Sequence, residues 1–224
     1  MAYVRPLTDL LFGRPSYFSL SAGAGKTKLV WNIVDQLKRR PHDNGLAYFY
    51  CNRNEDERRE TENVLRSFVR QLSVSQNHEA VQKTLLEKYE EKQKSGFASE
   101  KFSYEEAEAL IPALSKVYTR ITLVLDALDE CCEGTRSRLI STFNSLIKQI
   151  PNLKILISSR CDSDIKFQLE KEANVGIGAA ENDDDIQKFV RMQIEEDKQR
   201  RRVPLSEDLI NEIVQTLHAK SNGM

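Results

Sequence analysis

The stretch "SAGAGKTKLV", Ser21 to Val30, decides the fold. Small residues fill its first half, Gly25-Lys26-Thr27 follows, and then helical apolar spacing begins. A phosphate group needs several backbone N–H donors aimed at one point with no side chain in the way. Glycine permits that approach, and a following helix N-terminus adds a favourable dipole. Such a loop assigns phosphate binding to Ala22, Gly23, Ala24, Gly25, Lys26, Thr27 and Lys28. Lys26 reaches the β- and γ-phosphates, and Thr27 places its hydroxyl on Mg²⁺. The common form of the loop is G-x-x-x-x-G-K-[ST], and Leu20 stands here in the place of its first Gly. Taken alone, the stretch also reads as a glycine-rich turn before an ordinary helix.

The residues around it settle the context. Tyr17 to Leu20 (YFSL) is a short strand that ends at the loop. Lys26 to Lys38 has helical spacing, with Val30, Ile33, Val34 and Leu37 on one face. The Asn44-Gly45 turn signal precedes a strand at Leu46 to Cys51. Helical faces follow at Thr61 to Leu72 and at Glu79 to Lys94, and Gly96 is placed to end the second. "KSGFASEKFS" reads as a loop, after which Ser103 and Glu106 form a capping box for the next helix. Pro112 should kink or interrupt that helix.

Ile121 to Leu125 (ITLVL) is a near-continuous apolar run, as in a strand buried on both faces of a parallel sheet. Arg136 to Ile150 is an amphipathic helix, Leu153 to Ile157 a second buried strand, and Val175 to Ile177 a weaker fifth strand. Two helices close the sequence, Asp184 to about Lys198 and Glu207 to Lys220 behind a Ser206 cap. Strands alternating with helices predict an α/β domain with a mainly parallel sheet. Residues 1–16 form an N-terminal segment, 17–180 the core, and 181–224 the start of a helical region that the chain truncates.

Bulk composition excludes several alternatives. The 224 residues are 40% hydrophobic and 30% charged, and 33 Lys and Arg against 34 Asp and Glu leave a net charge of −1. That balance gives no global attraction to nucleic acid or to an anionic membrane. No apolar run approaches the roughly 20 residues that span a bilayer. The N-terminus lacks the basic start, sustained apolar core and cleavage site of a signal peptide. The four cysteines, Cys51, Cys131, Cys132 and Cys161, match neither a zinc spacing nor a disulfide framework, so they read as reduced thiols of a cytoplasmic protein. Cys131 and Cys132 read as packing residues and "NEDERRE" (Asn54–Glu60) as a surface loop. "KQRRR" (Lys198–Arg202) reads as a solvated helix end, and Trp31 as packed on the phosphate-loop helix.

In open α/β sheets ligands sit beyond the carboxyl ends of the strands. Three such ends carry chemistry: the glycine loop, then Asp126-Ala127-Leu128-Asp129-Glu130, then Ser158-Ser159-Arg160. Asp126 is the residue type that holds Mg²⁺ beside a phosphate loop. Asp129 or Glu130 would orient an attacking water or accept its proton. Arg160 would meet the γ-phosphate with its guanidinium. Each has a plainer reading, as a turn-capping Asp, a solvated loop and a solvated strand exit.

With these motifs in order, the chain resembles the NACHT family of STAND-type P-loop NTPases. The likeness is nearest to fungal, nephrocystin-like modules that carry ankyrin or similar repeats. "GAGKTKLV" (Gly23–Val30), "GLAYFYCNRNE" (Gly45–Glu55), "ENVLRSFVRQLS" (Glu62–Ser73), "LVLDALDEC" (Leu123–Cys131) and "ILISSR" (Ile155–Arg160) carry it. The resemblance implies a three-layer α/β/α fold with strand order 5-1-4-3-2, followed by C-terminal helices. It also implies ATP or GTP (ADP or GDP after hydrolysis) and Mg²⁺ as ligands, slow hydrolysis, and switching by self-oligomerisation or protein partners through flanking domains. Nucleic acid and membranes are not expected partners. Two other readings stand beside this one: a nucleotide-deficient scaffold, which Leu20 favours, and another P-loop phosphotransferase. "LDALDE" suits water activation better than recognition of an acceptor hydroxyl.

Overall fold

In the computed structural model the described residues are 16–20, 26–40, 43–74, 81–96, 101–160, 162–170, 173–177, 183–201 and 206–221. Residues 22–25 of the phosphate loop and Cys161 lie outside them. Five strands make one sheet: β1 (Ser16–Leu20), β2 (Asn44–Tyr50), β3 (Arg120–Asp126), β4 (Leu153–Ser159) and β5 (Ala173–Ile177), in the order β2-β3-β4-β1-β5. β2 with β3, β3 with β4 and β4 with β1 pair in parallel, with Tyr50 opposite Asp126, Leu125 opposite Ile157 and Ser19 opposite Ser159. That register sets the carboxyl ends of β2, β3 and β4 side by side. β3 is buried at every position from Ile121 to Asp126, which is what its unbroken apolar run requires.

Helices α1 (Lys26–Lys38), α2 (Asp56–Arg59), α3 (Thr61–Ser73), α4 (Lys83–Lys94), α5 (Tyr104–Ser115), α6 (Glu133–Gln149) and α7 (Ser163–Leu169) accompany the sheet. The α/β class with a parallel sheet is thus the observed one. α1 turns Val30, Ile33, Val34 and Leu37 inward. α3 buries Val64, Leu65, Phe68, Val69 and Leu72, and Phe68 meets Phe143 of α6 with ring centroids 6.3 Å apart. β2 is an edge strand, and Gln71 of α3 covers it. The Gln71 Nε2 donates to Tyr48 O at 2.8 Å, and Tyr48 N–H donates to Gln71 Oε1 at 3.1 Å. An edge satisfied in this way offers less template to another chain.

The Ser103–Glu106 capping box forms in both directions, at 3.2 and 2.8 Å. Four expectations need correction. Of the two outcomes expected at Pro112, interruption does not occur: α5 continues three residues past it, with Ile111, Leu114 and Ser115 buried, so packing outweighs the one lost hydrogen bond. α4 starts at Lys83 rather than Glu79, because Val81 bridges Val74 and Gln82 N–H donates to Ser73 O at 2.7 Å. Within Asn54–Glu60, Asp56–Arg59 form a one-turn helix and not a loop. Trp31 is 51% exposed, with Lys28 Nζ 4.5 Å from its ring centroid.

The chain divides into two compact units. One comprises residues 1–19 and 26–175, the other residues 20–25 and 176–224. The second carries α8 (Asp183–Arg201) and α9 (Glu207–Ser221), joined by Arg191 donating to Asn211 at 2.5 Å. Leu209 N–H donates to Ser206 Oγ at 3.3 Å, the expected cap. Among the described residues no helix is long and apolar enough to cross a membrane.

Candidate functional site

The site grows from the exit of β3. Asp126, 1% exposed, accepts a hydrogen bond through Oδ1 from the Ser158 hydroxyl of neighbouring β4. Ser158 Oγ in turn accepts from Ala127 N–H at 3.0 Å. One buried hydroxyl therefore fixes both the carboxylate and the first residue of the turn. Ala127 has φ 57° and ψ 54°, and among the described residues it is the non-glycine with positive φ. A left-handed residue reverses the chain tightly, and a small side chain limits the strain. Leu128–Glu130 then form a 3₁₀ turn, with Glu130 N–H donating to Ala127 O at 2.8 Å.

That turn swings Asp129 toward the other strand ends. Its side chain is 1% exposed, and Oδ1 accepts Arg160 N–H at 2.9 Å. Oδ2 lies 3.3 Å from Arg160 Nε and 3.7 Å from an Arg53 guanidinium nitrogen. Lys26 Nζ stands 3.9 Å from Oδ1. Three cations thus converge on one buried carboxylate. Lys26 Nζ is itself buried and makes no hydrogen bond among the described residues. Burial pushes its pKa below the ordinary lysine value; Asp129 opposes that shift and the Arg160 charge adds to it. Burial also raises the pKa of the Tyr50 phenol, opposite Asp126 on β2, and the Asp126 charge reinforces the rise.

Glu130 is placed differently. It is half-buried, accepts Arg53 N–H through Oε2 at 3.3 Å, and helps line a cleft of about 290 Å³ with Arg53, Arg59, Cys131, Cys132 and Glu133. Lys26, Asp126, Asp129, Glu130 and Arg160 therefore surround one rim. Thr27 and Lys28 lie exposed on the first turn of α1, and Leu20 is the last residue of β1. The phosphate-loop residues Ala22, Gly23, Ala24 and Gly25 lie outside the described residues.

Three participants were not recognised in the sequence. Arg53 sits in a segment of mixed charge that gave no site signal. Arg136, read as a helix residue, is buried under the acid turn. It donates to Asp164 at 2.7 and 2.6 Å, lies 3.4 Å from Asp162, and reaches Asp129 O at 3.5 Å. Burial opposes the Arg136 charge, but the Asp164 hydrogen bonds outweigh it and hold the guanidinium above its ordinary value. Cys51 lies with its Sγ 3.0 Å from Cys131 Sγ, a pairing across 80 residues that no short spacing reveals.

The fold, with the family match at residues 16–160, marks a NACHT-like P-loop NTPase module. The chain belongs to the family described as "Nephrocystin 3, N-terminal", which matches residues 16–160. It is 27% identical over 207 residues to the vegetative incompatibility protein HET-E-1 of Podospora anserina, across 90% of this chain and 15% of that protein. Among solved structures it is similar to a Walker-type ATPase of Pyrococcus abyssi, with a TM-score of 0.55 and 16% identity, across 93% of this chain and 60% of that one. The chain thus spans less than two thirds of either relative.

Proposed function

We propose that this chain binds a nucleoside triphosphate, ATP or GTP, with Mg²⁺, hydrolyses it slowly, and acts as a regulatory switch in the cytoplasm. One observation carries the reading: the buried Nζ of Lys26, which makes no hydrogen bond among the described residues, is gathered with Arg160 and Arg53 around the single carboxylate of Asp129. A buried ammonium without a hydrogen bond is costly, and a phosphate oxygen is the partner that such a group accepts.

Residues 22–25 with Lys26, Thr27 and Lys28 are assigned to the phosphates, and Thr27 and Asp126 supply the hard oxygen donors that Mg²⁺ takes. When bound, Mg²⁺ supplies positive charge against the phosphate oxygens. Arg160 is assigned to the γ-phosphate and Asp129 to positioning Arg160 and Lys26. Glu130 faces the cleft and is assigned to holding the attacking water and taking its proton. Similarity to a vegetative incompatibility protein supports a signalling role, with self-oligomerisation or protein partners engaged through further domains.

The test is phosphate release from MgATP and MgGTP by the wild-type chain and Glu130→Gln. The expected result is slow turnover that falls about 10²–10⁴-fold in the variant, as for loss of a general base, with binding retained. Equal rates in both would remove Glu130 from the chemistry. Leu20 favours a second reading, a scaffold that keeps the fold without nucleotide. Under that reading the chain keeps partner binding and melts at one temperature with or without nucleotide.

A further inference from the structure

Cys51 and Cys131 are both buried, and their sulfurs stand 3.0 Å apart, about 1 Å beyond the ~2.05 Å of an S–S bond. The backbone holds both in place. Cys51 N–H donates to Asp126 O at 3.0 Å, and Cys131 N–H donates to Leu128 O at 3.1 Å. Although Cys131 is buried, it forms part of the wall of the 290 Å³ cleft, with the partly exposed Cys132 beside it. Cys131 thus lines the cleft, and Cys51, in contact with it, does not.

We propose that Cys51 and Cys131 are a modification site, a dithiol that a small disulfide closes by thiol–disulfide exchange into a disulfide. The inference stands independently of nucleotide binding. With oxidised glutathione, the Cys131 sulfur attacks one glutathione sulfur and releases one glutathione. The Cys51 sulfur then attacks the Cys131 sulfur and releases the second. Two protein thiols are oxidised, one glutathione disulfide is reduced to two thiols, and the two protein protons pass to the released thiolates.

The bond would tie the exit of β2 to the acid turn. Cys51 lies two residues before Arg53 and Cys131 two residues after Asp129, so the oxidised form would hold the Arg53–Asp129 pair closed. A cross-link closing a long loop also stabilises the chain by restricting its unfolded state.

The experiment treats the full chain, natively folded, with oxidised glutathione. The protein is then unfolded, its remaining thiols alkylated, and its peptides mapped by mass spectrometry. The expected result is a Cys51–Cys131 cross-link, with Cys132 and Cys161 alkylated and a rise in Tm that dithiothreitol reverses. Cys51→Ser should instead retain a glutathione adduct on Cys131. Alkylated Cys51 and Cys131 after treatment, or a Cys131–Cys132 bond, would overturn the proposal. The wild-type map decides the matter even if the variant does not fold.

Discussion

Asp129 holds Arg160 by two atoms at once: its carboxylate accepts the Arg160 backbone N–H at 2.9 Å and meets Arg160 Nε at 3.3 Å. The acid turn after β3 is thereby clamped to the residue that leaves β4. The same carboxylate faces Lys26 and Arg53, so one side chain arranges all three cations of the rim.

Removing that carboxylate leaves a buried ammonium and two guanidinium groups without their common partner. Asp129→Ala should destabilise the nucleotide-free chain by about 3 kcal/mol, the low end for breaking a buried charge pair. Asp129→Asn keeps an acceptor for the Arg160 N–H and should cost less. Urea unfolding of the two variants checks the order, and an Ala variant as stable as wild type contradicts the clamp.

Ala127 predicts a stabilising substitution. A left-handed conformation costs an L-residue roughly 1–2 kcal/mol, while glycine gives back about 0.5–1 kcal/mol in chain entropy. Ala127→Gly should therefore gain about 0.5–1 kcal/mol. Ala127→Val, β-branched at a buried position with positive φ, should lose more than about 1 kcal/mol. Denaturant midpoints of the three proteins test this, and a Gly variant less stable than wild type speaks against the strain.

Arg136 and Asp164 give the fold an acid limb. The Arg136 hydrogen bonds hold the Asp164 carboxyl below the usual carboxylate range, with burial opposing. A depressed folded pKa contributes stability above the unfolded value of about 3.9, and that stability is lost as pH falls through the lower folded value. Arg136→Ala should cost about 2–3 kcal/mol, less than a fully buried pair because Asp164 is partly exposed. It should also flatten the loss of stability below about pH 4. Melting curves from pH 7 down to 3 on both proteins measure it.

How much of this was legible follows from the range of each interaction. The unbroken run ITLVL marked a buried strand, and the Ser103–Glu106 box marked a helix start, because both are local patterns. The acid cluster and Arg160 were found because each directly follows a strand. Other features depend on distant residues meeting. The burial of Asp129 depends on Lys26, Arg53 and Arg160 converging from three strand exits. The Arg136–Asp164 pair spans 28 residues and the Cys51–Cys131 pair 80. Pro112 does not interrupt α5 because its breaking effect is intrinsic, whereas the packing that overrides it is tertiary.

The proposed function requires Lys26 to bind a phosphate. Thermal unfolding of the wild-type chain with MgATP, MgGTP and MgADP, beside Lys26→Ala, tests it most directly. Nucleotide at about a hundred times its Kd should stabilise the wild type by roughly 2.7 kcal/mol. Lys26→Ala should lose that gain. A wild-type melting temperature that none of the three nucleotides moves would contradict the account.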